Sequence, residues 1–336
     1  MAETPPPSET KKRIQRPWVI SALSVPMRLI DPGKGVKGLS AFLVLLLFAL
    51  VTVYYTLPRP KSFFLDVTTG YLEVKTDLDA RIVWDIETAL LCLPRHRLQR
   101  QDTETVAEDD GFDCGKAVKG GGTERYVDQK IEGVELDWPS EMTLILRGDT
   151  PDMLDVLMLF DPEKTKLEIG GVQIVPETIL RLSRSVLDAT GGLGLSGDLV
   201  LGQPAEHGTL KLLREGRYET REKPFFRSNA LLVDSGTFAL GDAVSIEAAR
   251  NDKPLSSYAF LTLAERGTDG APNLRVIVTS PESFSRLRLA RARAKPSYIE
   301  PNWSQRIAND PLAIGLATLM SLVATFFGVL NNLFRR

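Results

Sequence analysis

Two stretches of this 336-residue chain contain no charged side chain: "LSAFLVLLLFALVTVYYTL" at 39–57 and "PLAIGLATLMSLVATFFGVL" at 311–330. As helices they would rise about 28–30 Å, the thickness of a bilayer hydrocarbon core. A soluble helix of that length would keep a polar face, and neither stretch has one. Tyr54 and Tyr55 close the first, and Trp303 shortly precedes the second, where interfacial aromatics belong. Both are predicted to be transmembrane helices. Thirty-eight residues precede the first, and its exit reads Tyr-Tyr-Thr-Leu-Pro-Arg-Pro. A signal peptide has a short basic start and a small-residue cleavage site, so an uncleaved anchor fits better.

Charge sets the expected orientation. The chain holds 41 Lys/Arg against 43 Asp/Glu, net −2, without the basic excess of a nucleic-acid binder. Residues 1–38 are nonetheless basic, with Lys11, Lys12, Arg13, Arg16, Arg28, Lys34 and Lys37, and the chain ends in Arg335-Arg336. The centre is therefore net acidic. Basic flanks stay cytoplasmic; Arg59 and Lys61, beyond the first helix, are outnumbered. Both termini are expected in the cytoplasm and the middle outside it. The Arg/Ala/Leu-rich composition suggests a bacterium, which makes the compartment the periplasm and the membrane the inner one.

The predicted organisation is a cytoplasmic basic, Pro-rich segment (1–38), helix 1 (39–57), a first β segment (58–93), a polar loop or insertion (94–130), a main β-rich domain (131–308), helix 2 (309–330) and a cytoplasmic tail (331–336). The period between the helices is close to two, as strands require. "FFLDVTTGYLEVKT" (63–76) reads as two short strands around a Gly turn, and "KLEIGGVQIV" (166–175) as a hairpin at Gly170-Gly171. "ETILRLSRSVLDA" (177–189) is the best helix candidate, since Ile179, Leu182 and Val186 share a helical face. Turn signals recur every 8–15 residues, which suits an antiparallel sandwich or barrel, in one or two subdomains. The expected fold class is thus a mainly β extracytoplasmic domain on two transmembrane helices.

Cys92 and Cys114 are the only cysteines, and an oxidising compartment favours pairing them. With His96 and His207 they lack zinc-finger spacing, so no metal is expected. Arg286, Arg288, Arg291, Arg293 and Lys295 alternate with apolar residues in "FSRLRLARARAKPSY" (284–298). Such a basic comb could meet lipid headgroups, an anionic polymer or an acidic partner; a solvated strand face that offsets the acidic domain is the simpler reading.

"ALLVDSGTFAL" (230–240) resembles the active-site loop of aspartic proteases, which would make Asp234 catalytic. That chemistry needs two carboxylates about 3 Å apart. "DVTTG" at Asp66 and "DATGG" at Asp188 lack Thr or Ser directly after Asp and then Gly, so only a dimeric enzyme would remain. Asp-Ser-Gly-Thr is also turn chemistry between two strands, and that reading is preferred. "GLGLSGD" (192–198) is not a nucleophile elbow, and no Gly cluster carries the Lys-Ser/Thr of a phosphate loop. "EDDGFD" (108–113) does not match a calcium loop.

With no catalytic constellation or cofactor site expected, the role predicted is a non-enzymatic accessory or scaffold subunit of an envelope complex. Membrane lipid and other membrane or periplasmic proteins are the expected partners, with homo-oligomerisation open. In the second apolar stretch Gly315, Ala317, Ser321, Ala324 and Gly328 are small residues that let helices approach closely. The alternatives are a tethered β domain that binds glycan, peptidoglycan or lipid and, more remotely, a dimeric aspartic protease at Asp234.

Overall fold

A computed structural model of the chain describes residues 35–77, 82–95, 114, 126–150, 152–203, 211–224, 228–264 and 274–315, with positions 317, 318, 321, 322 and 325 beyond. It divides into two compact units, Met1–Thr56 and Leu57–Arg336. The first contributes helix α1 (Gly35–Thr56), 22 residues whose last charged side chain is Lys37. At 1.5 Å per residue it rises about 33 Å. Side chains of α1 are described only within 45–56; among the described residues no helix is long and apolar enough to cross a membrane.

The second unit is mainly antiparallel β. In chain order its strands are β1 (Lys61–Thr69), β2 (Tyr71–Thr76), β3 (Val83–Pro94), β4 (Tyr126–Asp137), β5 (Thr143–Thr150), β6 (Met153–Leu159), β7 (Leu167–Ile169), β8 (Val172–Ile174) and β9 (Ile179–Ser183). Helix α2 (Arg184–Thr190) follows, and then β10 (Leu193–Leu201), β11 (Leu213–Glu222), β12 (Leu231–Phe238), β13 (Ala243–Ala248), β14 (Ser256–Leu263), β15 (Leu274–Thr279), β16 (Ser285–Ala290), β17 (Ser297–Ile299) and helix α3 (Trp303–Asn309). Fifteen strands form one sheet, with the path β12-β11-β1-β15-β14-β10-β2-β5-β6-β9-β3-β4 and a branch through β13, β16 and β17; β7 and β8 form a separate hairpin.

Alternation drives the layout. Buried and half-buried residues alternate without a break along β1 and β16, so each lays one apolar row on the core. The rows meet in a single cluster that reaches from Phe63 and Val276 to Leu144 and Leu182. Its most enclosed band is Leu72 and Val74 of β2, Leu144 and Leu146 of β5, Leu154 and Val156 of β6, and Leu180 and Leu182 of β9, none with measurable exposure. Inside this band Arg181 and Asp155 form a buried, two-point ion pair across β9 and β6 (2.8 and 3.1 Å).

β10 holds the two halves of the sheet together. It pairs with β14 along Leu193–Asp198 and with β2 along Gly197–Leu201. At the overlap Gly197 has φ +150°, and a Cβ there would meet the Lys75 carbonyl oxygen at 2.0 Å. Only glycine fits this crossing.

Several expectations change on folding. "FFLDVTTGYLEVKT" gives two strands that do not pair with each other: β1 lies between β11 and β15, and β2 between β10 and β5. The chain at Gly70 passes between the halves of the sheet instead of turning back. "ETILRLSRSVLDA" is half strand (β9) and half helix (α2), because Ile179–Leu182 are buried on both faces between β6 and β3. The polar stretch 94–130 is shorter than its sequence suggests. β3 runs to Pro94 and β4 begins at Tyr126, with Lys130 opposite Leu90. The Gly170-Gly171 hairpin forms as read, with φ of 58° and 78°.

Cys92 and Cys114 form a disulfide, packed with Leu90 and Ile179. It closes a loop with a sequence separation of 22. Replacing both cysteines by Ser should lower unfolding stability by about 3 kcal/mol, measured by denaturant titration of the oxidised and Ser forms. Equal midpoints would show that the bridge does not hold the loop down.

Candidate functional site

Asp234 is not in a turn. β12 runs unbroken through Asp-Ser-Gly-Thr and pairs with β11, with Asp234 opposite Thr220 and Gly236 opposite Tyr218. The Tyr218 ring lies over Gly236, where a Cβ would come within 2.8 Å of it. The glycine that reads as a turn signal is therefore the seat of an aromatic ring in a strand pair. Both Asp234 carboxylate oxygens are engaged. Gln305 Nε2 donates to Oδ1 at 2.8 Å and the Tyr218 hydroxyl to Oδ2 at 3.4 Å. Burial, together with Asp234, pushes the Tyr218 phenol up.

These contacts anchor α3 on β12. Asn302 and Gln305 form a reciprocal capping box at its start, which satisfies two otherwise unpaired N–H groups. At its other end Asn309 Nδ2 donates to the Val233 carbonyl (3.0 Å). Val233 is the extra residue where the β11–β12 register shifts. A bulge of this kind leaves a main-chain group unpaired, and Asn309 fills it.

The deepest contact of α3 is ionic. Arg306 donates to Glu222 Oε1 through Nε (3.2 Å) and Nη2 (2.9 Å), and Nη1 reaches the Leu57 carbonyl (3.4 Å). Glu222 is fully buried, and Arg306 nearly so. Lys61 stands opposite Glu222 in the β1–β11 register and lies 3.9 Å from Glu300. Burial pulls the Lys61 ammonium below its ordinary value, partly offset by Glu300 and Glu222. The first residues of the unit, 57–61, are thus held against α3, so the chain enters and leaves the β sheet region at one place.

The basic comb splits. Arg286 and Arg288 share one face of β16 and meet Glu247 of β13 (3.9 and 3.5 Å), and Arg286 also pairs with Asp252. The Arg286 guanidinium stacks 3.6 Å from the Tyr298 ring centre. Arg291, past the strand, pairs with buried Asp242 at 2.7 Å. Among the described residues Arg293 and Lys295 make no ion pair, and Arg293 sits at φ 58° in the turn before β17. Three of the five cations are therefore neutralised by the chain's own acids.

Asp66 lies on the outward face of β1 between Arg275 and Arg217. The hydrogen bonds from Arg275 are the main reason its carboxyl lies below the usual range. In the second apolar stretch Gly315, Ala317 and Ser321 are helical and exposed, while Ala324 and Gly328 lie outside the described residues. No group of three or more metal-ligating side chains occurs among the described residues.

The capping signature Asn302-x-x-Gln305 was readable from the sequence and was missed. Glu222 and Arg306 gave no local sign, because each is one charge in a polar run and only the tertiary fold buries them together. Arg306→Met should destabilise the unit by about 3–5 kcal/mol, because it strands the Glu222 carboxylate in the interior. The double variant Glu222→Leu/Arg306→Met should recover most of that loss in denaturant titrations. Additive losses would mean that the two side chains act separately. The chain matches no protein-family model, no curated protein and no solved structure.

Proposed function

We propose that the protein is a two-pass membrane-anchored scaffold, a non-enzymatic accessory subunit of a bacterial cell-envelope complex. Its termini lie in the cytoplasm and its β unit in the periplasm. The observation that carries this reading is the contact of Arg306 with the Leu57 carbonyl. A β unit whose first and last described segments meet fits a chain that crosses the membrane once before Leu57 and once after Asp310. The charge-free stretches at 39–57 and 311–330 supply those helices. The disulfide fits an oxidising compartment.

The site chemistry also supports a scaffold. Asp234 spends both carboxylate oxygens on α3 and Tyr218, which supports an architectural role over the protease. The basic comb is largely matched within the chain, which weighs against a dedicated anionic-polymer site there. One observation favours the second reading, a tethered glycan-binding domain: Tyr258 and Phe260 of β14 are 55% and 42% exposed, two residues apart on one face. Aromatic rings so placed could stack on sugar rings.

The readings separate on extraction. Mild-detergent solubilisation of native membranes, followed by sizing and mass spectrometry, should recover the full chain with stoichiometric protein partners. A chain that runs alone and retains purified glycan, with binding lost in Phe260→Ala, would replace the scaffold with the glycan reading.

A further inference from the structure

Strands β11, β1, β15 and β14 lie side by side in that order, and residues directly opposite each other share a face of the sheet. One outward row runs Phe260, Ile277, Asp66, Arg217; the row beside it begins Tyr258, Thr279, Phe64. Their neighbours along the strands, among them Ala259, Leu261, Val276 and Leu65, point into the core. The face is therefore apolar at its β14 side and charged at its β1 side.

Tyr258 and Phe260 are both exposed and stand about 7 Å apart along β14. The Phe260 ring leans across β10 onto Gly192, where a Cβ would collide with it. The glycine thus lets the ring lie down on the sheet with its other side to solvent. Two strands away, about 10 Å from Phe260, Asp66 accepts from Arg275 Nε and Nη2 (3.1 and 3.2 Å) and from Arg217 Nη2 (3.3 Å). Arg275 stands diagonal to Phe260 on the strand between them. The shared carboxylate holds both guanidinium groups in place while they stay exposed. Each has five N–H donors, so donors remain for a ligand.

Size and charge select the occupant. A stable protein interface buries about 800 Å² per partner around a core depleted of charge. Here the apolar strip is two rings with the half-buried Ile277 and Phe64 beside them, and a charged cluster begins on the next strand. A sugar ring matches that layout: its C–H faces are apolar and its rim carries hydroxyl groups. It can stack on Phe260 while its rim reaches the N–H groups of Arg275 and the carboxylate of Asp66. Asp66 already answers both arginines, which favours a neutral ligand over an anion. In a β1,4-linked chain of equatorial sugars every ring turns its C–H faces to the same two sides, as two neighbouring aromatic rings on a sheet require.

We propose that the outward face of β14, β15 and β1 binds a neutral, β-linked glycan, stacked on Phe260 and Tyr258 and hydrogen-bonded by Asp66 and Arg275. The inference rests on the aromatic pair that favours the second reading, and it is compatible with protein partners bound elsewhere on the unit. The full chain in lipid nanodiscs is titrated by calorimetry with chitohexaose, cellohexaose, maltohexaose and hexagalacturonic acid.

Chitohexaose or cellohexaose should bind, and the α-linked and anionic sugars should bind at least about tenfold more weakly. Phe260→Ala and Tyr258→Ala should each weaken binding by about tenfold through lost ring contact, and Asp66→Asn by about tenfold through lost charged hydrogen bonds. Phe284→Ala removes an exposed ring outside this face and should leave the affinity within about twofold. Failure of both β-linked sugars to bind, binding that survives the two ring variants, or tighter binding of hexagalacturonic acid would overturn the proposal. Co-purification from native membranes keeps the claims apart. Protein partners lost from Phe260→Ala/Tyr258→Ala would make this a protein-docking face, which sinks the glycan site and leaves the scaffold standing. Partners retained by that variant, with glycan binding lost, would support both.

Discussion

The buried ion pair between Arg306 and Glu222 is the constraint on which this architecture depends. A fully enclosed carboxylate is costly to desolvate and tolerable only with a well-placed counter-charge. Arg306 provides one with two N–H groups and uses its third nitrogen on the Leu57 carbonyl. One side chain thereby joins the end of β11, the start of the unit and the last helix before the second apolar stretch. Asp234, Tyr218 and Asn309 extend the same junction along β12. A buried pair is weak evidence for net stability, since an apolar replacement can do as well. Its consequence here is geometric, in that it specifies which chain segments lie together.

Above that junction the unit follows from alternation and from a few glycines. β1 and β16 could be read directly from their period of two, as could the Gly170-Gly171 hairpin and the Cys92–Cys114 bridge. Asp234 could not. Asp-Ser-Gly-Thr has every local mark of a turn, and it became a strand because the Tyr218 ring needs the space over Gly236 and β11 supplies the ladder. Ile179–Leu182 misled in a related way. Apolar spacing that suits a helix also suits a strand buried on both faces, and only the partners β3 and β6 decide between them. The basic comb was visible as a pattern, but its acids, Glu247, Asp242 and Asp252, lie 34 to 49 residues away in sequence.

Charge elsewhere on the unit is mostly settled by the chain's own residues. Around β13 and β16, Arg286, Arg288 and Arg291 each have a carboxylate answering them. Along β3 and β4, Asp85 stands opposite Glu135, and Lys130 pairs with Glu132.

The orientation of that unit is tested most directly by thiol accessibility in intact cells. Cys92 and Cys114 are bridged and silent toward maleimide, so single cysteines can be placed at Thr4, Asn251 and Asn331. A membrane-impermeant maleimide should label position 251 once the outer membrane is opened. Positions 4 and 331 should react only after the inner membrane is permeabilised. Labelling of position 4 or 331 from outside, with 251 protected, would invert the chain and remove the periplasmic scaffold altogether.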